Sequence, residues 1–355
     1  MNRGRRLRLG VAGCGAVFER HHLPALQKSR DWQLIAVCDP VLERRAWVRR
    51  SVDGNLPVFE SLSELLGAAP VDAVLIATPP DTHCGLAIRA LRAGLHVLVE
   101  KPMALRTTDA HAMLEASRHA GRHLWVGFSR RFLPAYIELR TRLARIPKKQ
   151  IRGVRFVFST DVRSWRAVST YRGDDSRGGG VVDDIVSHQL DLLPWLLNLD
   201  IQEISSESAS VDGGGQRVRC SVRFPDGLVA HCDARHADRY LETVEIQLAD
   251  RTLVAHWRQG VEETWHESGL LKSLARLAGV ARSARQAVRR SSPMAYSFAK
   301  QLAAFAAVVR GHKPLLMGAD AVSGLRNVLA IHACRQSLES AGRWTRVLED
   351  APPPA

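Results

Sequence analysis

The sequence predicts an α/β protein in two parts: a doubly wound parallel sheet over residues 1–130, then an α+β domain with a mainly antiparallel, open sheet over residues 131–355. Three observations carry this. The chain has 355 residues, long for one hydrophobic core and suited to two. Its first part alternates short, wholly apolar runs with helix-like stretches. Beyond residue 130 the apolar residues take up a period of two, with turn signals between the runs.

In the first part the strand-like runs are Leu7–Ala12, Gln33–Cys38, Ala73–Ala77, His96–Val99 and Leu124–Gly127. Strands that are apolar throughout are buried on both faces, as in a parallel sheet covered by helices. The intervening helices are expected near Leu23–Ser29, Val41–Ser51, Ser61–Leu66, Thr82–Ala93 and Thr107–Ala120, with Ser61 and Asp81 as candidate N-caps. In the second part, helices near Pro134–Arg145 and Val181–Leu197 flank a strand at Val154–Ser159. Strands follow at Ile201–Val211, Arg217–Phe224, Leu228–Ala234, Glu242–Leu248 and Thr252–His256, with Asp226-Gly227 as a hairpin turn. Helices near Met294–Arg310 and Ala319–Ala341 and a short strand at Trp344–Val347 complete the pattern.

Composition sets the class. Apolar residues make up 46% and charged residues 24%, ordinary for a soluble globular protein. No uncharged apolar run approaches the roughly 18 residues of a spanning helix, so no membrane partner is expected. The formal charge is +14, with a pI near 10.2. An anionic substrate is one reading and a biased composition the other. The basic stretch at Arg276, Arg282, Arg285, Arg289 and Arg290 lacks interleaved aromatics, so nucleic acid is not expected. The six cysteines, Cys14, Cys38, Cys84, Cys220, Cys232 and Cys334, show no C-x-x-C and no zinc spacing. No metal site is expected, and the usage suits a reducing cytoplasm. Arg5-Arg6 is read as a basic lead-in to the first strand rather than an export signal.

Two constellations carry chemistry. The first strand runs into Gly10-Val-Ala-Gly13-Cys-Gly15-Ala16-Val17-Phe18. A glycine turn between strand and helix lets backbone N–H groups approach a pyrophosphate at a helix N-terminus, the Rossmann arrangement. Phe18 stands where a third Gly or Ala is usual, so the helix is expected to sit further out or start later. Asp39, 24 positions after Gly15 (39 − 15), fits the acid that binds the adenosine ribose and repels a 2′-phosphate. NAD is therefore expected; Arg44 and Arg45 leave NADP open. Thr78, Pro79 and His83 follow the strand Ala73–Ala77, at the carboxyl edge where ligands bind. His83 reads equally as a residue near a helix N-terminus.

The second constellation is Glu100-Lys101-Pro102 together with Asp184, His188 and Asp191. A lysine directly after a buried strand is costly unless paired, and a cis Lys101-Pro102 bond would aim it into the cleft. Asp184 and His188 are four apart, and His188 and Asp191 three apart, so each pair shares a helix face. A carboxylate beside an imidazole can orient it and raise its basicity.

These segments resemble the Gfo/Idh/MocA oxidoreductases (glucose–fructose oxidoreductase and inositol dehydrogenase relatives) along nearly the whole chain. The matching pieces are GVAGCGAV, AVCDP, VLIATPPDTHCGLAIRALRAGLHVLVEKPMAL, VGFSRRFLPAY, GGGVVDDIVSHQLDLLPWLL and GADAVSGLRNVLAIHACRQSLESAG. The resemblance implies hydride transfer between a nicotinamide and a sugar, cyclitol or related polyol. It implies Lys101, Asp184 and His188 as the catalytic set, with His188 the general base, and Arg130 beside Asp184 and His188 on the substrate side. Gly13, Gly15, Ala16, Val17, Asp39, Thr78, Pro79, His83, Glu100, Lys101, Trp165 and Arg166 would line the cofactor. It also implies a homo-dimer or homo-tetramer assembled through the second sheet. A lyase, epimerase or glycosidase that keeps its NAD is the alternative, and a non-catalytic binding protein a third. One departure besides Phe18 is Val186, where the family often has glycine two residues before the histidine.

Overall fold

The computed structural model describes residues 5–52, 55–160, 175–211, 215–237, 239–266, 292–313 and 318–347. Strands β1 (Leu7–Ala12), β2 (Trp32–Cys38), β3 (Val58–Phe59), β4 (Ala73–Ile76), β5 (His96–Val99) and β6 (Leu124–Val126) form one sheet in the order β3-β2-β1-β4-β5-β6. Every pairing in it is parallel. The order turns around between β1 and β4, and such a switch point opens a crevice at the carboxyl ends of the strands. Helices α1 (Leu23–Gln27), α2 (Leu42–Ser51), α3 (Leu62–Ala68), α4 (His83–Arg92) and α5 (Thr107–Ala120) connect the strands. Ser61 caps α3 as expected, its hydroxyl accepting the N–H of Glu64. Asp81 does not cap α4: it lies inside a 3₁₀ turn, Pro80–Thr82, and pairs with Arg177.

The second sheet has eight strands. It is built from β7 (Ile151–Thr160), β8 (Glu203–Val211), β9 (Gly215–Arg223), β10 (Val229–His236), β11 (Leu241–Leu248), β12 (Arg251–His256), β13 (Gly260–Trp265) and β14 (Thr345–Arg346). Their order is β13-β12-β11-β7-β10-β9-β8-β14. Only β7 and β10 pair in parallel. Two strands were not expected from the sequence. β3 is two residues long, and β13 is an edge strand whose residues from Glu262 onward are exposed. At the hairpin, Asp226 and Gly227 have φ of 62° and 77°, the left-handed pair that a tight turn requires. Alternation decides which face is buried. Ala230, Cys232 and Ala234 of β10 and Val218, Cys220 and Val222 of β9 point into the core. Helices α6 (Pro134–Leu143) and α7 (Ser187–Leu197) cover that face, with Tyr136, Leu139, Leu190 and Leu193 in the same cluster.

Helices α8 (Pro293–Val309) and α9 (Ala321–Glu339) return to the first sheet. Phe298, Leu302 and Phe305 of α8 join Trp32 and Phe18 in one core cluster, and the Trp32 indole donates to the Leu302 carbonyl at 2.8 Å. Leu325, Val328 and Leu329 of α9 complete the core on the other side of the sheet. The approach is close: a Cβ on Gly324 would lie 2.6 Å from Met103 Sδ and Val126 Cγ2.

Gly13 has φ +95°, and a Cβ there would stand 2.6 Å from the Ala77 carbonyl oxygen. Gly13→Ala therefore meets both a disfavoured backbone and a clash with β4's carboxyl end. The expected loss is about 2 kcal/mol or more in folding stability, together with weakened dinucleotide binding. Denaturant unfolding and a titration with NADH check it; an unchanged midpoint and affinity would show that the turn relaxes freely.

Candidate active site

Lys101 stands two residues after β5, behind Glu100, and its peptide bond to Pro102 is cis. Its ammonium reaches the start of the α7 segment. Nζ donates to the Asp184 carbonyl at 2.8 Å, to Asp184 Oδ1 at 3.1 Å and to the Asp183 carbonyl at 3.5 Å. The side chains of Lys101 and Asp184 are 12% and 9% exposed, so a charge leaving water is met by a carboxylate and by backbone dipoles. Those carbonyls sit where a π-helical turn, Val182–Val186, passes into α7. Such a change of helical pitch interrupts the regular bonding ladder and leaves carbonyls for other donors.

His188, in the first turn of α7, is 7% exposed. Its Nε2 lies 2.8 Å from Arg130 Nη1. A guanidinium can only donate, so Nε2 is the acceptor and the ring proton is on Nδ1. Arg130 belongs to a 3₁₀ turn, Ser129–Phe132, after β6. Its Nε donates to Glu242 Oε1 at 3.0 Å, its Nη2 to the Tyr240 hydroxyl at 3.3 Å, and its charge lies 4.5 Å from the centre of the Phe158 ring. The Tyr136 hydroxyl adds a bond to Glu242 Oε1 at 2.9 Å, and the Tyr240 hydroxyl donates to Oε2. Burial opposes the Arg130 charge, yet Glu242 and the two tyrosines hold its pKa above the ordinary arginine value. Tyr240 keeps 39% of its surface open and packs on Trp257 at 4.8 Å, forming a rim.

The structure thus brings Lys101 and Asp184 together, and His188 and Arg130 together, along one helix. Asp191 departs from expectation: its carboxylate accepts two bonds from Arg131 Nε, at 3.0 and 3.1 Å, and one from Nη2 at 2.6 Å, rather than orienting His188. Sequence reasoning missed Glu242, Tyr240, Tyr136 and His236. His236 Nε2 is 3.9 Å from Asp184 Oδ2 and has no hydrogen-bond partner among the described residues. The one signal available was Glu242 itself, a carboxylate in step with Val244, Ile246 and Leu248 on the apolar face of β11. Trp165 and Arg166 lie outside the described residues.

On the cofactor side, Asp39 is 7% exposed at the end of β2. Its Oδ2 accepts the N–H of Cys14 at 2.7 Å and its Oδ1 the N–H of Val41 at 2.9 Å, which fixes it against the glycine turn. Arg45 donates to the Asp39 and Pro40 carbonyls, and Arg44 pairs with Glu19. Among the described residues, Gly15 has no atom within 4 Å of where its Cβ would be, and Ala16 and Val17 open the helix behind it. Open space at the switch point, before a helix start and beside a fixed carboxylate, fits a dinucleotide. The turn is completed by Thr78, whose hydroxyl takes a 2.7 Å bond from Thr82, and by Pro79.

His83 and Glu100 are placed behind this crevice. The His83 ring is fully buried, its nitrogens 2.9 Å from the Pro102 carbonyl and 3.0 Å from the Thr78 carbonyl. Both neighbours are carbonyl acceptors, so the neutral ring donates to one of them; lodged between the two, it sits at the β4 and β5 ends and not at the open face of the crevice. Glu100 bonds His22 Nε2 at 2.6 Å. Burial pushes its carboxyl up, but the His22 hydrogen bond and the charges of His22 and Lys101 hold it below the usual range. Gly127 makes room for this carboxylate; a Cβ there would be 2.9 Å away. Among the described residues no group of three His, Cys, Asp or Glu side chains is arranged to hold a metal ion. No helix there is long and apolar enough to cross a membrane.

A profile described as an oxidoreductase family with an NAD-binding Rossmann fold, GFO_IDH_MocA, matches residues 7–128. A profile of the GFO/IDH/MocA C-terminal domain matches residues 150–254. The chain belongs to the GFO/IDH/MocA family. Among curated GFO/IDH/MocA relatives, oxidoreductase P35 of Formosa agariphila is 32% identical over 63% of this chain and 70% of its own. Inositol 2-dehydrogenase 4 of Saccharopolyspora erythraea is 32% identical over 57% of each. For most curated relatives the match spans about half of their length. The WlbA dehydrogenase of Bordetella pertussis, solved with NADH and UDP-GlcNAcA, shares the fold at a TM-score of 0.80. That match has 21% identity and covers 98% of this chain and 99% of that one.

Both departures from the GFO/IDH/MocA pattern are absorbed by a widened turn. Phe18 is fully buried and opens a π-helical turn, Phe18–His22, and Val186 closes the other, Val182–Val186. The first helix therefore starts at once after the glycine turn, at Ala16, not later as the bulk of Phe18 suggested.

Burial also sets a pH dependence. It lowers the pKa of His21 to about 4 and that of His96 to about 4, and it lowers His83. These rings are neutral in the folded state, whereas the unfolded chain titrates near the ordinary 6.5. Unfolding then takes up protons below that pH, so their contribution is complete above 6.5 and is lost as the pH falls towards 4. Thermal midpoints should fall across that window; a flat profile from pH 7 to about 4.5 would contradict the burial of these rings.

Proposed function

We propose that this oxidoreductase is an NAD-dependent dehydrogenase or reductase acting on a CH–OH carbon of a sugar, cyclitol or related polyol. The observation that carries the reading is the Lys101–Asp184 pair at the carboxyl end of β5, beside His188, whose Nε2 is held as a hydrogen-bond acceptor by Arg130. A bound nicotinamide supplies the hydride acceptor or donor. Lys101 holds the reacting oxygen and stabilises negative charge developing on it. Asp184 keeps that ammonium in place, and His188 takes the hydroxyl proton through Nε2 when the substrate hydroxyl replaces Arg130 Nη1 as its hydrogen-bond donor. Arg130 and the Tyr240 rim stand on the substrate side. Asp39, fixed by two backbone N–H groups, receives the ribose hydroxyls and favours NAD over NADP. Relatives named as inositol dehydrogenases and 1,5-anhydro-D-fructose reductase support the substrate class.

The decisive assay is a panel of inositols, sugars, amino sugars and nucleotide sugars with both nicotinamides. On the best substrate, Lys101→Ala should lower turnover at least ~10²-fold while NADH still binds. Activity within about tenfold of the unaltered protein would remove Lys101 from the chemistry.

The second sheet points to a dimer or tetramer. Its outer face carries Arg155, Glu207, Arg217, Arg219, His231 and Asp233 around a hollow of about 570 Å³. Mixed charges of this kind can pair with a second copy of the same face. Light scattering should give a multiple of 39.2 kDa; a mass of one chain would refute the assembly.

A further inference from the structure

We infer that Glu242 is a positioning residue that sets the tautomer and the proton affinity of His188 through Arg130. The inference rests on the reading of His188 as the proton acceptor.

The geometry is a chain of three links. Glu242 has a side chain with no exposed surface and lies on β11, in the sheet that the catalytic helix covers. A carboxylate there must be compensated, and the compensation is specific. Arg130 Nε, the Tyr136 hydroxyl and the Tyr240 hydroxyl all donate to it. Those bonds, with the ring of Phe158 beneath the guanidinium at 4.5 Å, fix the plane of Arg130. The remaining edge of that plane delivers Nη1 to His188 Nε2 at 2.8 Å.

Two consequences follow for the imidazole. Arg130 can only donate, so it selects the tautomer with its lone pair on Nε2. Taking up a proton then places an imidazolium beside a guanidinium, which costs affinity for that proton; Glu242 offsets the cost because its charge cancels that of Arg130. Other charges along the helix come in compensated pairs: Lys101 against Asp184, Arg131 against Asp191 and Arg335 against Asp183. His236 from β10 faces Asp184 as well. Thus Glu242 controls the base from outside its immediate contacts.

Nuclear magnetic resonance of the ring Cε1–H groups follows His188 in the full chain without substrate, its signal assigned by loss in His188→Asn. Glu242→Gln keeps the shape and removes the charge, leaving Arg130 uncompensated. The His188 midpoint should then move down by about one pH unit or more, a tenfold loss in proton affinity. Arg130→Gln removes the cation and leaves Glu242, so the midpoint should move up by a similar amount. Shifts of opposite sign in the two variants support the inference. A midpoint unmoved in a folded Glu242→Gln chain, or the same sign in both, overturns it. Should Glu242→Gln fail to fold, Arg130→Gln decides alone: no upward shift overturns the inference. Full turnover in His188→Asn would sink the base assignment while leaving the midpoint test standing, so the two failures are separable.

Discussion

The buried ammonium of Lys101 is the constraint on which the site depends. A lysine set two residues after a parallel strand leaves water whether or not chemistry requires it, and it must find acceptors nearby. Here they come from the π-to-α junction ahead of α7, as the carboxylate of Asp184 and two main-chain oxygens. That contact joins the carboxyl edge of the first sheet to the helix covering the second. Breaking it would strand a charge on each side, so the two halves of the crevice are held in register by electrostatics as well as by apolar packing.

The same helix is gripped repeatedly. Arg131 holds Asp191, Arg335 of α9 pairs with Asp183, and Asn327 donates to the Ser187 carbonyl at 2.8 Å. The partners come from two elements, the 3₁₀ turn after β6 and α9. Buried ion pairs add little net stability compared with apolar packing, but they specify angle and depth. A catalytic helix positioned to a fraction of an ångström needs that specificity more than it needs added stability.

Much of this was legible in the sequence. Fully apolar runs gave the parallel strands, and period-two runs gave the second sheet, because burial on two faces and on one face leave different patterns. Gly13, Asp39, Lys101, Asp184 and His188 were readable because backbone approach and buried charge restrict residue choice at those positions. Glu242 was not, since a carboxylate on a strand reads as solvent-facing until the arginine 112 positions away is known to lie opposite it. His83 looked like a ligand residue because of its place at a strand end, and only its two carbonyl neighbours show that it lies away from the open face of the crevice. β13 was invisible because an edge strand needs no apolar face. The destination of Asp191 also depended on a long-range partner: helix spacing placed it near His188, but Arg131 won it with three bonds.

The packing of α9 has a consequence for biosynthesis. Leu325, Val328 and Leu329 fill the core beneath β4, β5 and β6, yet they leave the ribosome long after those strands do. While the chain is being made, the dinucleotide-binding half has its strands in hand but lacks one wall of its interior. It must wait, with Met103 and Val126 uncovered, until Gly324 arrives to sit against them. Vectorial synthesis therefore cannot finish this half first and the other second. The first half closes its interior only after α9, near the end of the described chain, has been made.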